Sequence, residues 1–179
     1  MVPILLYYRI RSQATREKLD RRQEGLLVLL TLRPVGLAFL CGLVVYLIDP
    51  GNLRWAWVPL PGKLRLLGAG LGLLGALLLV WTLRHLGRNL TDTVVTRRAH
   101  TLVQSGPYRW VRHPFYDAVA LLILGVFLTT SNVYFLVTGL GTLALLWVRT
   151  RKEEELLLAR FGNQYRAYMI RTGRFFPHP

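Results

Sequence analysis

The chain has 179 residues, 53% of them hydrophobic and only 18% charged, which is the length of one domain with an uneven distribution of polarity. The apolar residues gather in four long blocks with charges between them, and 23 Lys and Arg against 9 Asp and Glu give a net charge of +14. In a soluble chain that excess would point to nucleic acid; with apolar blocks this long, a membrane protein with basic cytoplasmic loops accounts for it, and most soluble folds are excluded.

Residues 1–25 carry Arg9, Arg11, Arg16, Lys18, Arg21 and Arg22 among a few acids and read as an N-terminal basic interfacial segment in contact with anionic lipid. They lack the basic, apolar and small-residue order of a removable signal peptide, so the chain is read as mature from its first residue. Crossing the hydrocarbon takes about 20 apolar residues in a helix, because lipid satisfies no backbone polar group. Residues 26–48 meet that length. Arg33 and Pro34 interrupt them, so the helix either kinks there or begins after them. Cys41, the single cysteine, is a packing residue in this block and offers neither a disulfide framework nor a thiolate zinc cluster.

Residues 64–84 form the second span, with Gly68 and Gly72 as a small-xxx-small pair that packs helices within one chain or between two. The pair leaves the oligomeric state open. The third and fourth spans, 115–130 and 133–149, are separated only by Ser131 and Asn132 and must form an antiparallel hairpin. Lys and Arg number six in residues 1–25, two in 49–63, six in 84–113, none at 131–132 and seven in 149–179. That alternation places both termini and the 85–113 loop in the cytoplasm, at a plasma membrane or an endoplasmic reticulum facing the cytosol.

Transport paths carry ionisable groups or broken helices near the midplane, and these spans do not, Arg33 near one end excepted. Chemistry is instead expected in the loop from His85 to Tyr116 and the tail from Arg149 to Phe176. In the loop, Gly106-Pro107 is a turn signal allowing close backbone approach to a ligand, and His113-Pro114 starts the third span. In the tail, Glu153, Glu154 and Glu155 are the only carboxylates after Asp117, with Arg149 one helical turn before Glu153. Blander roles exist for each: a capping histidine, solvated ion pairs, and an interfacial aromatic belt of Tyr108, Trp110, Phe115 and Tyr116. Their combination in two segments on one side favours a site.

The string HTLVQSGPYRWVRHPFY at residues 100–116, followed after a hairpin by Arg149, Glu153-Glu154, Phe161-Gly162 and Tyr165, resembles the isoprenylcysteine carboxyl methyltransferase family and the related phospholipid methyltransferases. The resemblance covers about residues 64–179. It implies an all-α polytopic membrane protein with about four transmembrane helices and a cytoplasmic cofactor pocket formed by the loop before the third helix and the C-terminal tail. Residues 26–84 then supply two membrane-spanning helices, and 85–179 the catalytic region.

By this resemblance the cofactor is S-adenosyl-L-methionine and the partner is a lipophilic methyl acceptor that comes from the bilayer. His100, Thr101, Leu102 and Val103 resemble the cofactor stretch, Gly106, Pro107 and Tyr108 the pocket turn and its aromatic, and His113, Pro114, Phe115 and Tyr116 the HPxY stretch. Glu153 is similar to the cofactor-binding glutamate and Arg149 to the arginine associated with the acceptor. The pattern departs at Ala118, where a glycine is usual, which tightens helix packing, and at Thr93, where some members carry glutamine.

A sulfonium, an adenine, ribose hydroxyls and an amino-acid end together require carboxylate, aromatic faces and backbone donors, and this loop and tail contain each. An acceptor carboxylate needs no general base, and Arg149 could fork onto it. An acceptor amine would need a proton acceptor, for which Glu154 and His113 are the candidates. Two rivals are a sterol-type membrane reductase using a nicotinamide, which shares an RHPxY-like element but lacks the paired glutamates, and a non-catalytic scaffold dimerising through Gly68 and Gly72.

Overall fold

The computed structural model of the protein describes residues 26–86, the first four by backbone alone, and residues 101–178. The basic segment 1–25 and most of the loop before the third span, with His100 and Thr93, lie outside the described residues. The described chain is helical, with α1 at Leu26–Ile48, α2 at Gly62–Leu86, α3 at Pro114–Thr130, α4 at Val133–Phe161 and α5 at Asn163–Arg171. Short 3-10 turns occupy Pro50–Ala56 and Gly106–Arg109.

Helix α1 continues unbroken through Pro34, so it does not begin after that residue. A proline lacks the N–H that would reach back one turn, a loss confined here to one bond. Among the described residues three helices, Leu30–Ile48, Gly62–Leu86 and Val133–Phe161, are long and apolar enough to cross a membrane. The fourth expected span, α3, is apolar but has 17 residues, at the lower bound for a crossing. Large apolar side chains including Leu37, Leu47, Leu66, Leu73 and Val137 stand exposed on the outer faces. Surface of that kind is stable against lipid and an aggregation hazard in water, as an integral membrane protein requires.

Helices α2 and α3 form the closest pair because small residues line their seam. A Cβ on Gly125 would come 2.6 Å from the Gly72 backbone, one on Gly68 2.6 Å from the Leu128 side chain, and one on Gly75 3.0 Å from the Ala118 carbonyl oxygen. The glycine pair therefore packs within the chain, and the dimer surface that a scaffold reading placed at Gly68 and Gly72 is already filled. Ala118 is fully buried, in a core with Leu79 and Leu83.

The α3–α4 hairpin turns at Ser131 in the left-handed region, and the Asn132 side chain then accepts from the Tyr134 N–H at 3.0 Å and donates to the Leu53 carbonyl at 2.8 Å. Helix α1 lies along α4, where Tyr134 donates to the Ala38 carbonyl at 2.6 Å and Phe135 meets Phe39 and Tyr46 edge-on. The lateral order is thus α2, α3, α4, α1, each antiparallel to its neighbour. The 49–61 loop is tied to the hairpin turn by the Val58 N–H to Ser131 carbonyl bond of 2.8 Å. A cavity of about 330 Å³ at this end, lined by Tyr46, Leu53, Arg54, Trp57 and Asn132 among others, lies opposite the end where the polar residues of the loop and tail gather.

Candidate functional site

The apolar run of α4 stops at Val148, but the helix continues for three more turns to Phe161. Arg149, Arg151, Lys152 and the three glutamates lie on this extension, beyond the apolar run. The sequence reading ended the fourth span at 149 because hydropathy ends there; helical geometry does not. Gly162, with φ of +50°, reverses the chain into α5, its N–H bonded to the Leu158 carbonyl at 2.9 Å. The tail then runs beside the segment leading into α3, with bonds from the Arg112 N–H to Gly173 at 2.9 Å and the His113 N–H to Arg174 at 3.1 Å.

Glu154 is the centre of one buried cluster. Its carboxylate accepts from Arg112 Nε at 2.9 Å, from His113 Nε2 at 3.2 Å and from Arg174. Arg112 also donates to the carbonyls of Met169, at 3.2 Å, and of Thr172. Burial would raise the Glu154 carboxyl, but the hydrogen bonds from His113, Arg174 and Arg112 outweigh it and bring it down to about 2. A bond to an ionised carboxylate requires the proton on His113 Nε2. The His113 side chain makes no capping bond to α3, so the capping role does not hold.

A second cluster adjoins the first. Tyr116 donates to Glu153 at 2.8 Å, and its ring stacks on His113 with centroids 5.4 Å apart and planes 7° from parallel. Arg149, half-buried one turn before Glu153, is close enough for its charge to act on the Tyr116 phenol. Tyr108 is also close: burial, then the charges of Glu153 and Tyr168, hold its phenol protonated well beyond the ordinary range. Tyr168 on α5 donates to the Tyr108 carbonyl at 2.6 Å and ties this turn to the tail. Trp147 stacks on Phe175, which in turn lies against His113.

The structure therefore brings together Tyr108, His113, Tyr116, Arg149, Glu153 and Glu154. It places others elsewhere. Phe115 packs against the Leu79, Leu83 and Ala118 core. Gly106, at φ of +62°, does allow close backbone approach, but to the ring of His85, which a Cβ would meet at 2.5 Å. Pro107 is buried behind it and Pro114 is buried at the first turn of α3. Thr101 is exposed and Leu102 and Val103 are half-buried on the approach to that turn. Trp110 meets Trp81 edge-on, so the aromatic residues are divided between site and packing and do not form a single belt.

Glu154 itself suits anchoring the tail; a carboxylate at about 2 is a weak base at neutral pH, which opposes the proton-accepting role expected with an amine. Sequence reasoning gave no role to Arg112 and Tyr165, which stand within the quoted motifs, and did not single out Arg174 and Tyr168. A buried acid needs cationic partners, and that was the available signal for the two arginines. Among the described residues, no group of three or more His, Cys, Asp or Glu side chains could hold a metal ion.

The profile of the isoprenylcysteine carboxyl methyltransferase family matches residues 68–159. The chain is 32% identical over 130 residues to the cobalt-zinc-cadmium resistance protein CzcN of Cupriavidus metallidurans, covering 71% of this chain and 55% of that protein. The solved structure of the eukaryotic intramembrane Ras methyltransferase, an isoprenylcysteine carboxyl methyltransferase, matches 86% of this chain and 53% of its own length. Its TM-score is 0.54 at 22% identity, a likeness of fold. The chain spans about half the length of these relatives.

Proposed function

The chain belongs to the isoprenylcysteine carboxyl methyltransferase family, and we propose that it transfers a methyl group from S-adenosylmethionine to a lipophilic acceptor, methylating the carboxylate of an isoprenylcysteine-like molecule. The observation that carries this reading is the convergence of Glu153, Tyr116, Tyr108 and Arg149 at one end of an apolar bundle. The acceptor then comes from the bilayer and the site faces the cytoplasm.

The residues present fit the cofactor. Glu153 offers a carboxylate oriented by the Tyr116 hydroxyl, beside the aromatic faces of Tyr116 and Tyr108, and the buried Tyr165 hydroxyl has no hydrogen-bond partner among the described residues. A cation is held by that combination of charge and ring face. When bound, S-adenosylmethionine supplies an electrophilic methyl group on a positively charged sulfur.

The chain's own residues orient and desolvate. Tyr116 fixes the Glu153 carboxylate, and the Glu154 cluster fixes the tail on which Tyr165 and Phe175 stand. Arg149 binds the acceptor carboxylate with its planar fork, which positions an already ionised oxygen for in-line attack and removes the need for a general base. The Trp147–Phe175 stack and the buried tyrosines keep water from the reacting oxygen, whose nucleophilicity rises with desolvation. Titration of the detergent-solubilised protein with S-adenosylmethionine and with NADPH tests the assignment. Saturable binding of the first alone is expected; preference for NADPH would transfer the chain to the reductase reading.

A further inference from the structure

Two tyrosines one turn apart on α5 are buried, and they differ in what their hydroxyls do. Tyr168, 4% exposed, donates to the Tyr108 carbonyl at 2.6 Å. Tyr165, 1% exposed, has a hydroxyl with no hydrogen-bond partner among the described residues. Burying a hydroxyl unpaired is unfavourable, and phenylalanine would fill the same space without that cost. The surroundings are those of the site, because the charges of Glu154, Arg112 and Glu153 all act on the phenol. Two other buried hydroxyls without partners, Thr82 and Ser131, stand within α2 and at the opposite end of the bundle.

We propose that Tyr165 is a further ligand-binding residue of this site, whose hydroxyl donates a hydrogen bond to an oxygen of bound S-adenosylmethionine, in its ribose or amino-acid end. The inference rests on the methyltransferase reading and gives a role to Tyr165, a residue of the quoted motif to which the resemblance assigned none. The hydroxyl is a donor throughout the neutral range, since burial first, and then Glu154 and Glu153, raise its titration against the opposing Arg112 charge. The phenol is positioned by its ring, which needs no hydroxyl to pack. The unpaired group is then a preorganised contact, satisfied when the ligand binds.

The test compares Tyr165→Phe and Tyr168→Phe in the full chain in detergent, by thermal unfolding without ligand and by titration with S-adenosylmethionine and S-adenosylhomocysteine. Tyr165→Phe should leave the unfolding midpoint unchanged or raise it while weakening both nucleosides about 3- to 10-fold, the worth of one neutral hydrogen bond. Tyr168→Phe should lower the midpoint, because it leaves the Tyr108 carbonyl without its donor. Wild-type protein that binds S-adenosylmethionine while Tyr165→Phe binds it equally well would overturn the proposal. So would a midpoint for Tyr165→Phe that falls as far as that of Tyr168→Phe. Wild-type protein that binds neither nucleoside would instead sink the methyltransferase reading, and this inference with it.

Discussion

Tyr116 and Glu153, 37 residues apart in sequence, are joined by a 2.8 Å hydrogen bond that ties the first turn of α3 to the polar extension of α4. The bond orients the Glu153 carboxylate toward the cluster that Tyr108, Tyr116 and Arg149 share. Glu153→Ala should therefore weaken S-adenosylmethionine binding roughly 10- to 100-fold, the range for a charged contact, and Tyr116→Phe should weaken it less. Calorimetric titration checks both, and unchanged affinity in Glu153→Ala would remove that residue from the site.

Arg149 is expected to act on the acceptor and not on the cofactor. Arg149→Ala should preserve S-adenosylmethionine affinity within a few-fold and lower kcat/KM for a carboxylate acceptor roughly 10- to 100-fold. Loss of cofactor binding in that variant would show that the pair one turn apart works as a single unit.

The Glu154 cluster contributes stability with a defined acid dependence. Glu154→Ala removes the shared partner of Arg112, His113 and Arg174 and should cost about 3–5 kcal/mol, read as a lowered unfolding midpoint in detergent. The carboxyl titrates near 4.5 when free and at about 2 when folded, so its contribution is complete above about 4.5 and is lost as pH falls toward 2. Wild-type stability should decline through that window. Glu154→Gln should lack that part of the decline, and an identical acid limb in the variant would assign the decline to other groups.

The α2–α3 seam gives a purely structural prediction. Gly125→Ala places a Cβ 2.6 Å from the Gly72 backbone, which cannot rotate away, and should destabilise by about 1–3 kcal/mol. Gly70→Ala meets nothing within 4 Å and should be neutral or slightly stabilising in the helix. Equal melting of the two variants would contradict the seam.

The spans were legible because hydrocarbon imposes one demand, a long apolar helix, and residues 26–48 and 64–84 answer it directly. The hairpin followed from two residues, Ser131 and Asn132, too few for any other connection. The end of α4 was not legible from hydropathy, since the helix outlasts its apolar run and its last turns are held by side chains such as Glu154 that pair across 20 to 42 residues. Tyr108, His113, Tyr116, Arg149 and Glu153 were singled out through the resemblance, and the structure brings them to one end of the bundle. The pairing of Arg112 and Arg174 with Glu154 was not legible, because nothing local distinguishes an arginine that meets a buried acid from the many that meet water. Phe115, singled out with the HPxY stretch, packs against the helix core, and Gly106, singled out as a turn, lies against the His85 ring, contacts that a local motif does not reveal.

The most direct test of the central claim is methyl transfer from radiolabelled S-adenosylmethionine by the purified protein, offered a prenylcysteine analogue and phospholipid vesicles in parallel. The account predicts base-labile label on the prenylcysteine, as a methyl ester requires, and its loss in Arg149→Ala. Label confined to the phospholipid amine would contradict the acceptor assignment, and no transfer to either together with no cofactor binding would contradict the methyltransferase reading itself.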